Sequence, residues 1–339
     1  MKLQLVFPLF DVEMTVNEKS LLYLIINQFP DFIKQKPQHR SAARLRVFIH
    51  YLRTSYSKLP RSKYDCFHGF TLFYNKFADH PFYKERFTFD KNPTINLDVA
   101  PRTLRTTVNF RSNTITAYIA TPPDFEKHLL FDLIFFQPLK CLLQGHGLFL
   151  FHASCIANKT GGVLFSGQSG SGKTTLALAL SRKKFRYICD EEVILYQGRS
   201  AIECLPFPSR PKLRRESLLL FPELRNKLVQ KSLKKEKVLV KTSEEFSLSK
   251  IKPTVPRVLI FPRFVKTAPT RLEAVTKQVA LARLAKEELM GIKYAPPELE
   301  RQHSLFLAHL TRQVKIFRLY YKDQDLDKIP GLLIQALSR

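Results

Sequence analysis

Residues 161–180, GGVLFSGQSGSGKTTLALAL, run from an apolar strand through a glycine-rich turn into a helix-forming stretch, and few folds accommodate that order. Gly167, Gln168, Ser169, Gly170, Ser171, Gly172, Lys173 and Thr174 satisfy G-x-x-x-x-G-K-[ST] at every position, with the strand before and the helix after that the motif needs. Its glycines let successive N–H groups and the helix N-terminus face a polyphosphate. Lys173 offsets charge on the β- and γ-phosphates, and the Thr174 hydroxyl suits Mg²⁺. Thr175 completes the residues expected to hold the nucleoside triphosphate this loop implies. The region is therefore expected to be α/β.

Asp190, Glu191 and Glu192 follow Lys173 by only seventeen to nineteen residues, at the end of the next expected strand, FRYIC. Carboxylates placed there lie beside the loop, where one can hold a metal and another can take a proton from an incoming hydroxyl. Strand alternation would send Asp190 and Glu192 to one face and Glu191 to the other, unless the backbone turns. His152, in GLFLFHASCIA, is placed on a strand adjoining the loop strand and is a candidate for the same site. Arg210 and Lys212, in PFPSRPKLR, are candidate cations for charge developing on a transferred phosphoryl group.

The remainder of the chain sets the frame. Its 339 residues exceed the roughly 100–200 of an average domain, so two domains are expected, 1–122 and 123–339, separated near TPPD at 121–124. The first reads as α+β: a hairpin from KLQLVF and VEMTV, an early helix in NEKSLLYLIINQF capped by Asn17, then several β-rich runs. A helix over 125–144 capped by Asp124 opens the second. It continues through GLFLFHASCIA and GGVLFSG as a strand pair, VILYQ and AIECLPF as a hairpin through Gly198, and RVLIFPRF and QVKIFRLYY as later strands. Helices are expected near 276–290, 298–312 and 324–337. Between Pro206 and Pro256 the pattern weakens and lysines accumulate, which reads as a mobile basic excursion.

Fifty-five Lys and Arg against 29 Asp and Glu give a formal charge of +26, which favours acidic or phosphate-rich partners. Nucleic acid is not favoured, because the basic stretches have neither the aromatic pattern of an RNA-recognition domain nor the Cys/His spacing of a zinc finger. Five widely spaced cysteines without a C-x-x-C pair fit a reducing cytoplasm. No run approaches the roughly 18 apolar residues of a membrane span, and the N-terminus lacks the pattern of a signal peptide.

Taken together, LFLFHASCIA, VLFSGQSGSGKTTLALAL and FRYICDEEVIL make the segment from about 125 to 290 resemble the catalytic domain of the HPr serine kinase/phosphorylase family. That resemblance implies a P-loop kinase domain of the phosphoenolpyruvate-carboxykinase type with a mixed sheet. By position it implies Asp190 as the base on the acceptor hydroxyl, Glu191 at the metal with Thr174, and His152 near the phosphates. The RPKLR segment is loosely similar to a proline-plus-basic segment of the kinase-like relatives, which bears on Arg210. The family usually has Asp-Asp where this chain has Asp190-Glu191. Its downstream glycine-rich signature, linked to phosphorolysis, is not visible after Glu203, so a kinase without phosphorylase activity is expected.

The expected function is an ATP- and Mg²⁺-dependent kinase of a Ser or Thr hydroxyl on a peptide or small protein, with an acidic acceptor favoured by charge. A small-molecule hydroxyl kinase and a non-catalytic ATP-binding regulatory or nucleic-acid-binding module remain alternatives, and homo-oligomerisation is left open.

Overall fold

The computed structural model describes residues 1–6, 9–19, 22–23, 26, 43–51, 69–70, 85–89, 94–99, 104–119, 132–207, 211–227, 237–239, 252–288 and 297–338. They form a mixed α/β structure with two compact units, Met1–Gly147 with Met290–Arg301, and Leu148–Leu289 with Gln302–Arg339.

In the first unit, β1 (Lys2–Val6), β2 (Phe10–Val16), β3 (Ala43–Tyr51), β4 (Gly69–Phe70), β5 (Glu85–Phe89), β6 (Thr94–Val99), β7 (Leu104–Asn109) and β8 (Thr114–Ile119) form one sheet. Its order is β1-β2-β3-β8-β7-β6-β5-β4. Alternation drives its burial: Leu45, Val47 and Ile49 of β3 and Ile115, Ala117 and Ile119 of β8 point to one dry face. The expected β1–β2 hairpin forms, with Lys2 opposite Thr15. Most of the expected early helix, and Asp124, fall outside the described residues.

The helix expected over 125–144 is described from a π-helical turn at Asp132–Phe136 into α1 (Gln137–Gly145). Leu139, Leu142 and Leu143 of α1 are buried, and the helix packs on β7. The compact units accordingly divide after Gly147, whereas the sequence suggested a division after 122: the apolar face of α1 belongs with the first sheet.

The second unit contains the loop. Strands β9 (Leu148–Phe151), β10 (Ala153–Asn158), β11 (Gly161–Ser166), β12 (Arg186–Cys189), β13 (Val193–Gln197), β14 (Ile202–Pro206), β15 (Lys212–Arg214), β16 (Lys237–Leu239), β17 (Pro256–Phe264), β18 (Arg271–Ala274) and β19 (Lys315–Tyr321) form three sheets. The largest has the order β12-β10-β11-β17-β19-β18; β14-β13-β9 and β15-β16 are smaller. Strands β11, β17 and β19 are mutually parallel, so their C-terminal ends gather at the loop.

Helices α2 (Lys173–Ser181) and α5 (Ile329–Ser338) cover one face of the large sheet through Leu176, Leu178, Leu180, Leu333 and Ala336, packed on Val163, Phe165, Val258, Ile260 and Leu319. Helix α3 (Lys277–Glu288) and the C-terminal part of α4 (Pro297–Gln313) cover the other through Ala280, Leu284, Phe306, Leu307 and Leu310. Burial on both faces explains why β11 and β17 read as continuous apolar runs.

Three expectations are revised here. GLFLFHASCIA is two strands: β9 pairs with β13 in the small sheet, β10 pairs with β11 and β12 in the large one, and the chain switches sheets at His152. The segment after Pro206 is ordered over 211–227, where β15 and two 3-10 turns bury Leu213, Phe221 and Leu224 against the α2 side of the core. The last helix starts at Ile329, after a short 3-10 turn at Asp323–Asp325.

Candidate functional site

The turn from β11 to α2 holds three glycines in conformations that favour glycine, with φ of 151° at Gly167, 88° at Gly170 and 94° at Gly172. At Gly172 space as well as backbone demands glycine. A methyl group on Gly170 would come 2.9 Å from Arg214 Nη2, one on Gly167 3.4 Å from Arg283 Nη2, and one on Gly172 1.7 Å from Tyr321 Oη. Two arginine side chains and one tyrosine therefore close on the loop. Tyr321 Oη donates to the Ser171 carbonyl at 3.4 Å. Burial first, then Asp323, raises the Tyr321 pKa and keeps that hydroxyl protonated. Lys173 is buried, and its ammonium donates to the carbonyls of Gly167 at 2.5 Å and Gln168 at 3.4 Å, so it lies over the loop.

Asp190 meets this loop from β12. Its carboxylate is fully buried; one oxygen accepts from Thr174 Oγ1 at 2.8 Å and the other from Ser154 Oγ. Burial, then the neighbouring Glu191, raises the Asp190 pKa, while the Ser154 and Thr174 hydroxyls and Lys173 pull against that shift. The backbone does turn at the acid cluster: Glu191 has φ of 68°, and Glu192 N–H donates to the Asp190 carbonyl at 2.9 Å, a tight three-residue turn. The three carboxylates consequently point in three directions. Asp190 faces Thr174, Glu191 faces Lys212 with Oε2 3.7 Å from Nζ, and Glu192 faces His152 with Oε1 3.5 Å from Nδ1.

His152 sits where the chain passes between sheets. Its backbone N–H donates to both oxygens of the buried Glu288 carboxylate, at 3.2 and 3.3 Å. Burial works against its charged form, but the hydrogen bond and charge of Glu192, with Glu191 adding, leave the net pKa raised. Arg283 is fixed by stacking over Phe261, 4.3 Å from the ring centre, and by donating to Glu287 Oε1 at 3.0 Å; Glu287 Oε2 in turn accepts from Ser166 Oγ.

The oxygen that meets Thr174 belongs to Asp190, whereas the sequence paired Thr174 with Glu191. The turn at Glu191 is the physical reason. Arg210 lies outside the described residues, and the side chain of its segment that closes on the loop is Arg214. Sequence reasoning did not single out Ser154, Arg214, Arg283 or Tyr321. Ser154 and Arg214 stand in the segments HASCIA and RPKLR beside the predicted site residues, whereas Arg283 and Tyr321, the last residue of QVKIFRLYY, reach the loop from more than a hundred residues away in sequence.

Among the described residues no group of three or more His, Cys, Asp or Glu is arranged to hold a metal ion. Mg²⁺ on a triphosphate typically takes only one or two oxygens from the protein, and the Thr174 hydroxyl with the Asp190 carboxylate fits that donor set. A groove of about 570 Å³ lined by Lys159, Lys184, Arg186 and Ile334 lies at the opposite end of the β10–β11 hairpin from these groups.

The structure thus places a glycine-rich turn at the end of a buried parallel strand of a mixed α/β unit, with a lysine, a hydroxyl and a buried carboxylate converging on it. No family model and no curated protein matches the chain. Among solved structures it is similar to the HPr(Ser) kinase/phosphatase from Coxiella burnetii, at 14% identity over 55% of this chain and 94% of that one, with a TM-score of 0.29. A likeness that slight carries no functional argument. Among the described residues no helix is long and apolar enough to cross a membrane.

Proposed function

We propose that the chain is an ATP- and Mg²⁺-dependent phosphotransferase that phosphorylates a Ser or Thr hydroxyl of a peptide or small protein. The observation that carries this reading is the buried Asp190 carboxylate hydrogen-bonded to Thr174 of the loop, because it sets an acid–base group beside the residue that would meet the γ-phosphate and its metal. Thr174 and Asp190 would hold Mg²⁺, whose bound role is to offset charge on the β- and γ-phosphates. Lys173, at 7% exposure, adds a second desolvated cation at the same point.

Asp190 accepts the proton of the incoming hydroxyl as that oxygen attacks the γ-phosphorus and the bond from the γ-phosphorus to the β–γ bridging oxygen breaks, so that ADP leaves with that oxygen. Arg214 and Arg283 bracket the loop from either side, at Gly170 and Gly167, and orient the triphosphate through their guanidinium forks. Glu192 pairs with His152 at the sheet crossing, and Lys212 pairs with Glu191.

The test is transfer of label from γ-³²P-ATP with Mg²⁺ in a lysate of the source cell, comparing the intact protein with Lys173→Ala. The expected result is a labelled polypeptide that disappears with the substitution, together with a rise of about a hundredfold in the Kd for ATP measured by calorimetry. Label confined to a small molecule would replace the peptide acceptor by a metabolite hydroxyl, and ATP binding without any transfer would sink the enzymatic reading.

A further inference from the structure

The C-terminal ends of β17 and β19 and the start of β18 carry three arginines, Arg263, Arg318 and Arg271, around one tyrosine, Tyr320. Arg263, Tyr320 and Arg271 are direct cross-strand partners, as are Phe261, Arg318 and Glu273 one step back along the same strands. Partners in register project to the same face, so these six form two adjacent rows. That face is the one Leu259 and Phe261 share with α3, and Arg283 stacks on it beside Gly167. The rows therefore begin at the phosphate loop and run outward across the edge of the sheet.

Tyr320 organises the arginines. The Arg271 guanidinium lies 4.2 Å from its ring centre, Arg263 5.8 Å and Arg318 6.0 Å, and Arg318 Nη1 bonds its hydroxyl oxygen at 3.2 Å. With Arg283 from α3 the face has four guanidinium groups; Glu273 pairs with Arg271 at 2.8 Å and Glu287 with Arg283 at 3.0 Å, and the charge of Arg318 also reaches Glu273 opposite it. Arg263, which is exposed, has no ion-pair partner among the described residues. Guanidinium groups pinned against a ring lose little further freedom on binding and present planar forks suited to carboxylates.

We propose that this arginine–tyrosine face is the docking surface for an acidic segment of the acceptor polypeptide, holding it beside the phosphate loop. The proposal rests on the phosphotransfer reading above and names the recognition element of its acceptor. Single-stranded nucleic acid is the competing occupant of a basic, aromatic surface, but it needs an open ring on which bases stack. Here Arg271 already covers Tyr320. The chain's formal charge of +26 draws acidic partners in general, whereas this face adds geometry to that attraction.

The experiment is fluorescence anisotropy with a labelled aspartate-rich peptide containing one serine, without ATP, so that binding is read independently of transfer. Arg263→Glu is expected to weaken the peptide about tenfold and to flatten its salt dependence. Lys159→Glu, an equal charge reversal on the far β10–β11 turn, leaves it unchanged. Arg263→Gln, milder at an exposed position, shows a smaller loss in the same direction. Equal weakening by Lys159→Glu would reduce the effect to net charge and overturn the proposal. Loss of oligothymidylate binding with peptide affinity intact would assign the face to nucleic acid instead. If transfer fails everywhere yet Arg263→Glu still loses the peptide, the docking surface stands and the kinase reading falls. Phosphorylation of the peptide by Arg263→Glu at the wild-type KM removes the docking surface and leaves the kinase reading intact.

Discussion

Asp190→Asn is expected to lower single-turnover phosphoryl transfer by about a thousandfold or more while leaving a folded, ATP-binding protein. General-base removal costs about 10²–10⁴ in rate, and the same side chain is also the carboxylate beside Thr174. Asn keeps the shape and can still bond both Thr174 and Ser154, so the core around Asp190 closes as before. The stability effect has a definite sign. Because burial raises the folded-state pKa of Asp190, its ionisation opposes folding. That penalty is absent below the ordinary carboxylate pKa and grows as the pH rises through the folded value. Asp190→Asn should therefore gain on the wild type in Tm between acid and neutral pH, read by thermal denaturation across that range. A variant that retains transfer, or whose Tm deficit widens toward neutral pH, would exclude a buried, charged Asp190 as the group at the reacting centre.

Gly172→Ala is expected to cost about 2–5 kcal/mol of stability and to abolish ATP binding together. About 1–2 kcal/mol comes from forcing an L-residue into a left-handed conformation, and about 1–3 from overpacking. Here the added methyl would meet Tyr321 Oη at 1.7 Å, so either the loop or β19 must move. Gly147 provides the comparison, since its φ is 72° and nothing lies within 4 Å of an added methyl. Gly147→Ala should show the backbone cost alone. Urea denaturation of both variants separates the two contributions, and equal losses would show that Tyr321 does not brace the loop.

How much of this was legible beforehand depended on how local each feature is. The loop could be read because strand, glycines, lysine and helix are contiguous, and the conformations at Gly167, Gly170 and Gly172 are those the motif demands. Burial on both faces made β11 and β17 recognisable, and the helices at Lys277–Glu288 and Pro297–Gln313 follow their periodicity closely. Two things were not local. The break at His152 has no proline or glycine to mark it; a continuous apolar run simply pairs with two different sheets. The separation of the three acids depends on one positive φ at Glu191, a residue type with no preference for it, so the turn that alternation left as the exception is the case realised there. Arg283 and Tyr321 could not be placed without knowing which strands lie next to β11.

The parallel pairing of β11 with β17 and of β17 with β19 also has a temporal side. The phosphate motif is complete in sequence by Thr174, but the strand beside it begins at Pro256 and the tyrosine under Gly172 is residue 321. During synthesis the emerging polypeptide carries the whole motif on an unpaired strand edge for some eighty residues of elongation, and contacts of such separation form late. A ribosome-bound chain stopped before Pro256 would display every letter of the glycine-rich motif and still lack Arg283 and Tyr321, two of the three side chains that close on its glycines.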